Sequence, residues 1–351
     1  MTTPTPRNPR RGAPSGARRS PLTSRVALGA TAALSALTLA ACGGNVGAAG
    51  GGEGEDFPSG PVTITVGQDA GGSTDLIARA VAEGMAEDLG VAVPVVNRAG
   101  ANGAVATEEV AGKPADGYEL VLLNASLITI TPLAVSEDEA VDLADLDVIK
   151  GLSQDDYVLL ASKDSGFETL DDLKAGSGDI KYGTTGVGTG SQLAQAALFA
   201  QAEIDGTAVP FDSGSPALTA VVGDQVQVAT VQLGEAKPQI DAGNVVPLLA
   251  FSAERNQFLP DVPTAVEEGY DVPVSQYRAL AAPKGLPEDV KARLVESIDA
   301  AIATDTYTSF NENNLLTPHE ISGEEVTTEW TELAEKYQAL TEEYDISLAE
   351  G

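Results

Sequence analysis

From Phe57 onward the chain alternates short β-branched runs with stretches of helical period, the pattern of βα units around mostly parallel sheets. Residues 62–66 predict a strand, and Gly71 with Gly72 breaks it before a helix over about 74–89. In that helix Leu76, Ile77, Ala80, Val81 and Met85 share a face. A strand at 93–96, a short helix at 104–111 and a strand at 120–123 follow. A second series comprises a strand at 157–161, a helix capped at Thr169 and a strand at 180–183 that opens a glycine-rich run to Gly190. Helices at 191–201, 216–222 and 235–242 then alternate with strands at 208–211, 225–231 and 245–251. Near the end, Val326, Trp330, Leu333, Ala334, Tyr337, Leu340 and Tyr344 keep helical spacing on an acidic stretch. They predict a last helix packed on the first of two α/β lobes, rather than a partner-binding face.

The first 56 residues follow a different logic. An Arg-rich flank to Arg25 leads into an uncharged run that ends Leu39, Ala40, Ala41, Cys42, Gly43, Gly44, the layout of a secretory signal. The run is short and weakly apolar for a permanent span of about 30 Å of hydrocarbon. Its end resembles a bacterial lipobox, in which the cysteine thiol receives a diacylglycerol and becomes the new N-terminus, and the only cysteine of the chain stands there. Residues 1–41 are therefore expected to be a lipoprotein signal peptide, Cys42 the lipidation site, and 42–56 a flexible tether rich in glycine and acid. The mature chain is expected outside the cytoplasmic membrane, anchored to it. Arg18, Arg19, Ser20, Pro21 and Leu22 loosely resemble a twin-arginine signal, but paired Arg also occur in general secretory signals, so both routes stay open.

Charge and composition narrow the chemistry. Six of the 20 Lys and Arg precede Cys42, and all 52 Asp and Glu follow it, so the folded part would repel a phosphate backbone and nucleic acid is excluded as a partner. One cysteine permits no internal disulfide and no Cys-based metal cluster. The single histidine, His319, lies far in sequence from both glycine-rich segments. No G-x-S-x-G elbow, P-loop or HExxH spacing occurs, so no enzyme, metal site or cofactor is predicted.

From Phe57 to its end the chain resembles the substrate-binding proteins of tripartite tricarboxylate transporters, the Bug family. Phe57, Pro58, Pro61, Val62, Thr63 and Ile64 match the family's opening. Gly71 to Asp75 with Ala78 and Arg79 match its first ligand loop. Asn97, Arg98, Gly100 and Gly103, then Asp116, Gly117 and Tyr118, match its next motifs. Tyr182 and the run from Gly183 to Ser191 match its second ligand loop. Ser215 to Leu218, Asp261 to Thr264 with Glu267 and Gly269, and Ala282, Pro283, Gly285 and Pro287 follow in order. The resemblance implies an α/β, two-lobed periplasmic-binding-protein architecture of the second type, with two doubly wound sheets joined by two crossing segments. Lobe 1 is expected to be discontinuous, 57–161 with 254–351, and lobe 2 to be 162–253. The implied function is capture, by a monomer, of a small organic acid or amino-group-bearing carboxylate for the membrane subunits of a transporter. A sensor that presents ligand to a receptor kinase is the alternative.

Ligands of open α/β sheets lie beyond the carboxyl ends of strands, at helix N-termini. The expected ligand-binding residues are therefore Asp69, Ala70, Gly71, Gly72, Ser73 and Thr74 in the first loop, and Asn124 and Ser126 after the third strand. Thr184, Thr185, Gly186, Gly190, Ser191 and Gln192 come from the second loop, and Phe211, Asp212 and Ser213 from the loop beyond it. Three features depart from the family. Gly67 to Ala70 replace its Pro-Phe-x-Pro, Phe211 to Gly214 replace its Tyr-Lys-Gly-Gly, and its usual carboxylate after the strand ending at Val231 is missing. If Asp69 and Asp212 face the ligand, each like-charge contact at about 4 Å costs about 4 kcal/mol, against about 0.3–2 kcal/mol from a helix N-terminus. The solute would then carry an amino group, have one carboxylate only, or arrive with a cation. If each Asp caps a turn, no such restriction applies.

Overall fold

The computed structural model describes residues 57–176 and 180–349. The expected signal segment, Cys42 and tether lie outside the described residues. Within the described residues the first half runs β1 (Thr63–Val66), α1 (Ser73–Leu89), β2 (Val95–Asn97), α2 (Ala104–Ala111), β3 (Glu119–Asn124) and α3 (Ala125–Thr129). The long β4 (Leu146–Ser162) leads to α4 (Leu170–Ala175), β5 (Ile180–Thr184), α5 (Gly190–Gln201), β6 (Gly206–Pro210), α6 (Gly214–Val222), β7 (Val228–Gln232), α7 (Leu233–Asp241) and β8 (Val245–Ala250). The chain then returns through β9 (Ser275–Pro283), α8 (Glu288–Ile302), α9 (Asp305–Asn313), β10 (Thr317–Pro318) and α10 (Gly323–Glu343).

The parallel pairs β1–β2, β1–β3, β5–β6 and β5–β7 come from the βα units read in the sequence. Antiparallel strands join them: β9 lies between β3 and β4, while β7 and β8 pair with the far end of β4. The strand order β2-β1-β3-β9-β4-β7-β5-β6 is therefore one continuous mixed sheet, with β8 and β10 also on β4. The two expected sheets are thus joined through β4, which has 17 residues, about 55 Å of strand, and serves both halves. Residues 146–156 pair with β9, and Tyr157 to Ser162 pair within the second ladder.

Each half has apolar layers on both sheet faces. In the first, Ile64, Ile77, Val81, Met85, Leu120, Leu280, Leu294 and Ile298 form one layer, and Val121, Leu123, Ala279, Val326 and Trp330 the other. Alternation along β4 does the same for the second half, sending Tyr157 and Leu159 to the layer of Leu193, Leu198 and Phe199. Val158 and Leu160 join Ala217, Val221 and Val231 on the opposite side. Leu76, expected inside, is 37% exposed, because the buried stripe of α1 runs through Ile77, Ala78, Val81, Ala82, Met85 and Leu89.

The last helix corrects a further expectation. Val326 and Trp330 pack on the first half, but Tyr337 and Leu340 join the core of the second. At 21 residues α10 is about 30 Å long, enough to lie along both. Among the described residues no helix is long and apolar enough to cross a membrane.

Leu280, fully buried on β9, ties that strand to α1 and α8. Leu280→Ala is expected to destabilise the fold by about 2–5 kcal/mol in chemical denaturation. A loss below about 1 kcal/mol would mean that β9 is not a central strand of the core.

Candidate functional site

The middle of the sheet carries polar residues on one face. Asn124 on β3 pairs in register with Arg278 on β9, which pairs with Ser153 on β4, and Gln276 pairs with Asp155. The two-residue period of strands puts Ser153, Asp155 and Tyr157 beside Gln276 and Arg278. All of them are at least 95% buried. Gln276 Nε2 donates to Ser126 Oγ at 2.8 Å and to Tyr157 Oη at 3.3 Å, and its Oε1 accepts from the Ser126 N–H at 3.1 Å.

The first expected loop ends on this floor. Gly71, with φ of 89°, takes a left-handed turn open to glycine, and its N–H donates to Asp75 Oδ2 at 2.8 Å. Asp75 is gripped by Arg79 and by Asn97 Nδ2, so its carboxyl stays below the usual range despite burial. Gly72 is the N-cap of α1, and Asp69, Ala70 and Gly71 are exposed. Ser73 Oγ donates to Asp155 Oδ2 at 3.0 Å. Thr74 Oγ1 accepts from Arg278 Nε at 2.9 Å and donates to Asn124 Oδ1 at 3.2 Å. Ser73, Thr74 and Asn124 thus come together around Arg278 and Asp155.

The second expected loop is braced from within. Thr185 N–H donates to Ser191 Oγ, which donates to the Thr230 carbonyl at 2.6 Å. Gln192 Oε1 accepts from Gly188 N–H at 2.8 Å, and its Nε2 donates to the Leu348 carbonyl at 3.2 Å. Ser191 and Gln192 spend their hydrogen bonds on shaping the loop. A Cβ at Gly190 would lie 2.6 Å from Tyr157 Cε2, so only glycine lets the loop approach the floor. Across from it, Asn102 Nδ2 and Thr131 Oγ1 of the first half donate to the Gly188 carbonyl at 3.4 and 3.0 Å. Beside this contact lies a cavity of about 650 Å³ lined by Asn102, Thr131, Leu133, Ser136, Glu139 and Val187, among others. A depression of about 480 Å³ along α8 shares no residue with these loops. Phe211 is half-buried, while Asp212 and Ser213, before α6, are exposed.

Sequence reasoning missed three charged groups. Arg278 is 2% exposed, and its one firm hydrogen bond goes to Thr74; Nη2 lies 3.9 Å from Asp155 Oδ2, and Nη1 has no partner. Asp155 is 1% exposed with Oδ1 unpartnered. Glu235 stands in the first turn of α7. It lies against Gly214 at the start of α6, where an added Cβ would overlap Oε2, itself unpartnered. Burial raises the Asp155 carboxyl to about 7, with Arg278 and Ser73 opposing and Glu235 and Asp156 reinforcing. Burial also raises Glu235, opposed by Arg278, and lowers Arg278, opposed mainly by Asp155. The available signal was a lone Arg within the apolar run 277–282, and the pair Asp155, Asp156 just before Tyr157. His319 lies elsewhere, with Nε2 2.8 Å from Glu329 Oε2 and its ring against Tyr277. Among the described residues no cluster of three His, Cys, Asp or Glu is arranged to hold a metal ion.

Two α/β halves that share a strand and bring glycine loops to a polar floor define the periplasmic-binding-protein class. Residues 77–346 match the model of the tripartite tricarboxylate transporter family receptor, and the chain belongs to that family. A UPF0065 protein from the TAR-I ttuE-ttuC' intergenic region of Agrobacterium vitis is 32% identical over 253 residues, covering 71% of this chain and 73% of that protein. The structure of the periplasmic binding protein BugD superposes with a TM-score of 0.75 at 26% identity, over 84% of this chain and all of that one. MatC from Rhodopseudomonas palustris, with bound malate, gives 0.73 at 26% identity over 81% and 99%. The chain is thus an extracytoplasmic solute-binding receptor rather than an enzyme.

The raised Asp155 carboxyl has a measurable consequence. The folded state holds this proton more tightly than the unfolded chain does. Its stabilising contribution is therefore full below about pH 4 and lost as pH rises through about 7. Asp155→Asn removes that dependence, so the variant should gain stability relative to the parent between about pH 5 and pH 8 in urea denaturation. A stability difference that stays constant across that range would refute the assignment.

Proposed function

We propose that the protein captures a small carboxylate-bearing solute between two lobes and delivers it, as a monomer, to the membrane subunits of a tripartite tricarboxylate-type transporter. A lipid on Cys42 holds it to the outer face of the cytoplasmic membrane, after export by the general secretory or twin-arginine route, and residues 43–56 space the body from the surface. Lobe 1 comprises 57–161 with 254–351, and lobe 2 162–253. Ligand contacts come from Asp69 to Thr74, Asn124 and Ser126 on one side, and from Thr184 to Gly186, Gly190 and Phe211 to Ser213 on the other. Ser191 and Gln192 hold the second loop in shape.

One observation carries this reading: the first turn of α1 meets buried, incompletely bonded polar atoms on Arg278 and Asp155, and the start of α6 lies against Glu235, whose Oε2 is likewise unpartnered. First-turn N–H groups lack partners within their helix and suit an anionic group. Malate bound to MatC, a relative in fold and sequence, is a solute of the proposed kind.

Calorimetry of the purified mature chain with malate, succinate, citrate and glutamate is expected to find at least one that binds. At about 100-fold its Kd that solute should add about 2.7 kcal/mol of stability and reduce the radius of gyration in small-angle scattering. No binding across a wide set of small acids would overturn the reading. Cys42→Ser should release the protein from the membrane fraction. Loss of solute uptake on deletion of the permease subunits supports delivery to a transporter, and intact uptake with a lost kinase response would replace it with the sensor alternative.

A further inference from the structure

The strands that join the two halves are polar where they cross. Along β4 the apolar layers of the first half end at Leu152 and those of the second begin at Tyr157, with Ser153, Gln154, Asp155 and Asp156 between them. On the returning chain Val272 and Val274 still pack with the core of the second half, and Tyr277 packs on the first, with Ser275 and Gln276 between. The two crossings lie side by side, since Asp156 pairs in register with Ser275. They put the change of half at 156–157 and 274–275, which refines the lobe boundaries at 161 and 253 given above.

We propose that Asp156 is a hinge clamp, a positioning residue that ties the two crossings together and restrains the halves from opening. The inference goes beyond the solute-binding reading, and it concerns the face of the sheet opposite Asp155 and Arg278. Asp156 is buried, and its carboxylate accepts three hydrogen bonds. Gln154 Nε2 and Ser275 Oγ donate to Oδ1, each at 2.7 Å, and Asn256 Nδ2 donates to Oδ2 at 2.9 Å. Gln154 stands on the first-half side of the crossing in β4, and Ser275 on the other crossing. Asn256 opens the turn to Leu259, which packs with Val158 and Leu160 in the second half. One buried side chain therefore holds both halves and both crossings. Rotation of one half against the other moves Asn256 relative to Gln154, so opening strains a bond at Asp156. Bonds to a carboxylate are shorter and stronger than those between neutral groups, and they act here where the apolar layers are interrupted. Asn256 is itself fixed, because its Oδ1 accepts the Phe258 N–H at 2.8 Å and would lose that bond if the amide turned round. The contact thus has a defined polarity, acceptor on β4 and donor on the second half.

The test uses the purified mature chain without solute, in small-angle scattering and hydrogen–deuterium exchange. In Asp156→Asn an amide donor faces Asn256 Nδ2, so the radius of gyration should rise. The Phe251 and Val274 N–H groups, bonded to the Tyr157 and Phe251 carbonyls beside the crossings, should exchange about three- to tenfold faster, beyond any acceleration in the cores read at Leu159 and Leu280. The paired change Asp156→Asn with Asn256→Asp reverses the polarity of the contact and should return both readouts to the parent values. A residue that merely adds stability would move neither the radius of the folded chain nor the exchange at the crossings relative to the cores. If circular dichroism shows that Asp156→Asn does not fold, Ser275→Ala, which removes one of the three bonds, decides by the same readouts. A parent-like radius, acceleration no greater at the crossings than in the cores, or no recovery in the paired variant overturns the clamp. Failure of malate, succinate, citrate and glutamate to bind would overturn the solute-binding reading alone, because the clamp is judged without a solute.

Discussion

An arginine taken out of water with a single firm hydrogen bond is the constraint around which the structure is organised. Desolvating a guanidinium costs several kcal/mol unless its donors are met, and Arg278 meets only Thr74 fully and Asp155 at a distance. Such an arrangement is a poor way to stabilise a fold, since apolar residues of similar volume would serve better. Its unmet donor and acceptor, Arg278 Nη1 and Asp155 Oδ1, are the mark of a polar site rather than of a stabilising contact. The rest of the architecture holds that arginine in place: β9 is inserted between β3 and β4, and α1 starts on Thr74.

Local pattern made much of the fold legible. The βα units of both halves stand where β-branched runs and helical periods put them, and the helix at 104–111 agrees to the residue. Three signals did not reach the sequence. β9 reads as an apolar run near Gly and Pro turns, without the alternation that marks a half-exposed strand, because both its faces are covered. α8 and α9 are amphipathic and acidic, so their buried positions are diluted among charged ones. The first half of β4 is interrupted by register shifts near Val148 and Gly151, which break the two-residue period.

The site was legible only in part, for a related reason. Loop glycines advertise themselves, because a left-handed turn at Gly71 or a close approach at Gly190 excludes other residues. Charged groups on strands do not, since Arg278 and Asp155 are 123 positions apart in sequence and meet only through antiparallel pairing across β4 and β9. Ser191 and Gln192 look like ligand groups in sequence, and in the structure their hydrogen bonds go to Thr185, Thr230, Gly188 and Leu348. Asp69 and Asp212, the acids flagged by position, are solvent-exposed, and the buried acids are others.

Because α10 plants Trp330 in one core and Tyr337 in the other, it acts as the spine of a book whose covers are the two halves. Pulling the covers straight apart would strip large aromatic rings from their packing, whereas swinging them about the spine leaves both rings seated. The packing of α10 therefore resists straight separation of the halves more than rotation about that helix.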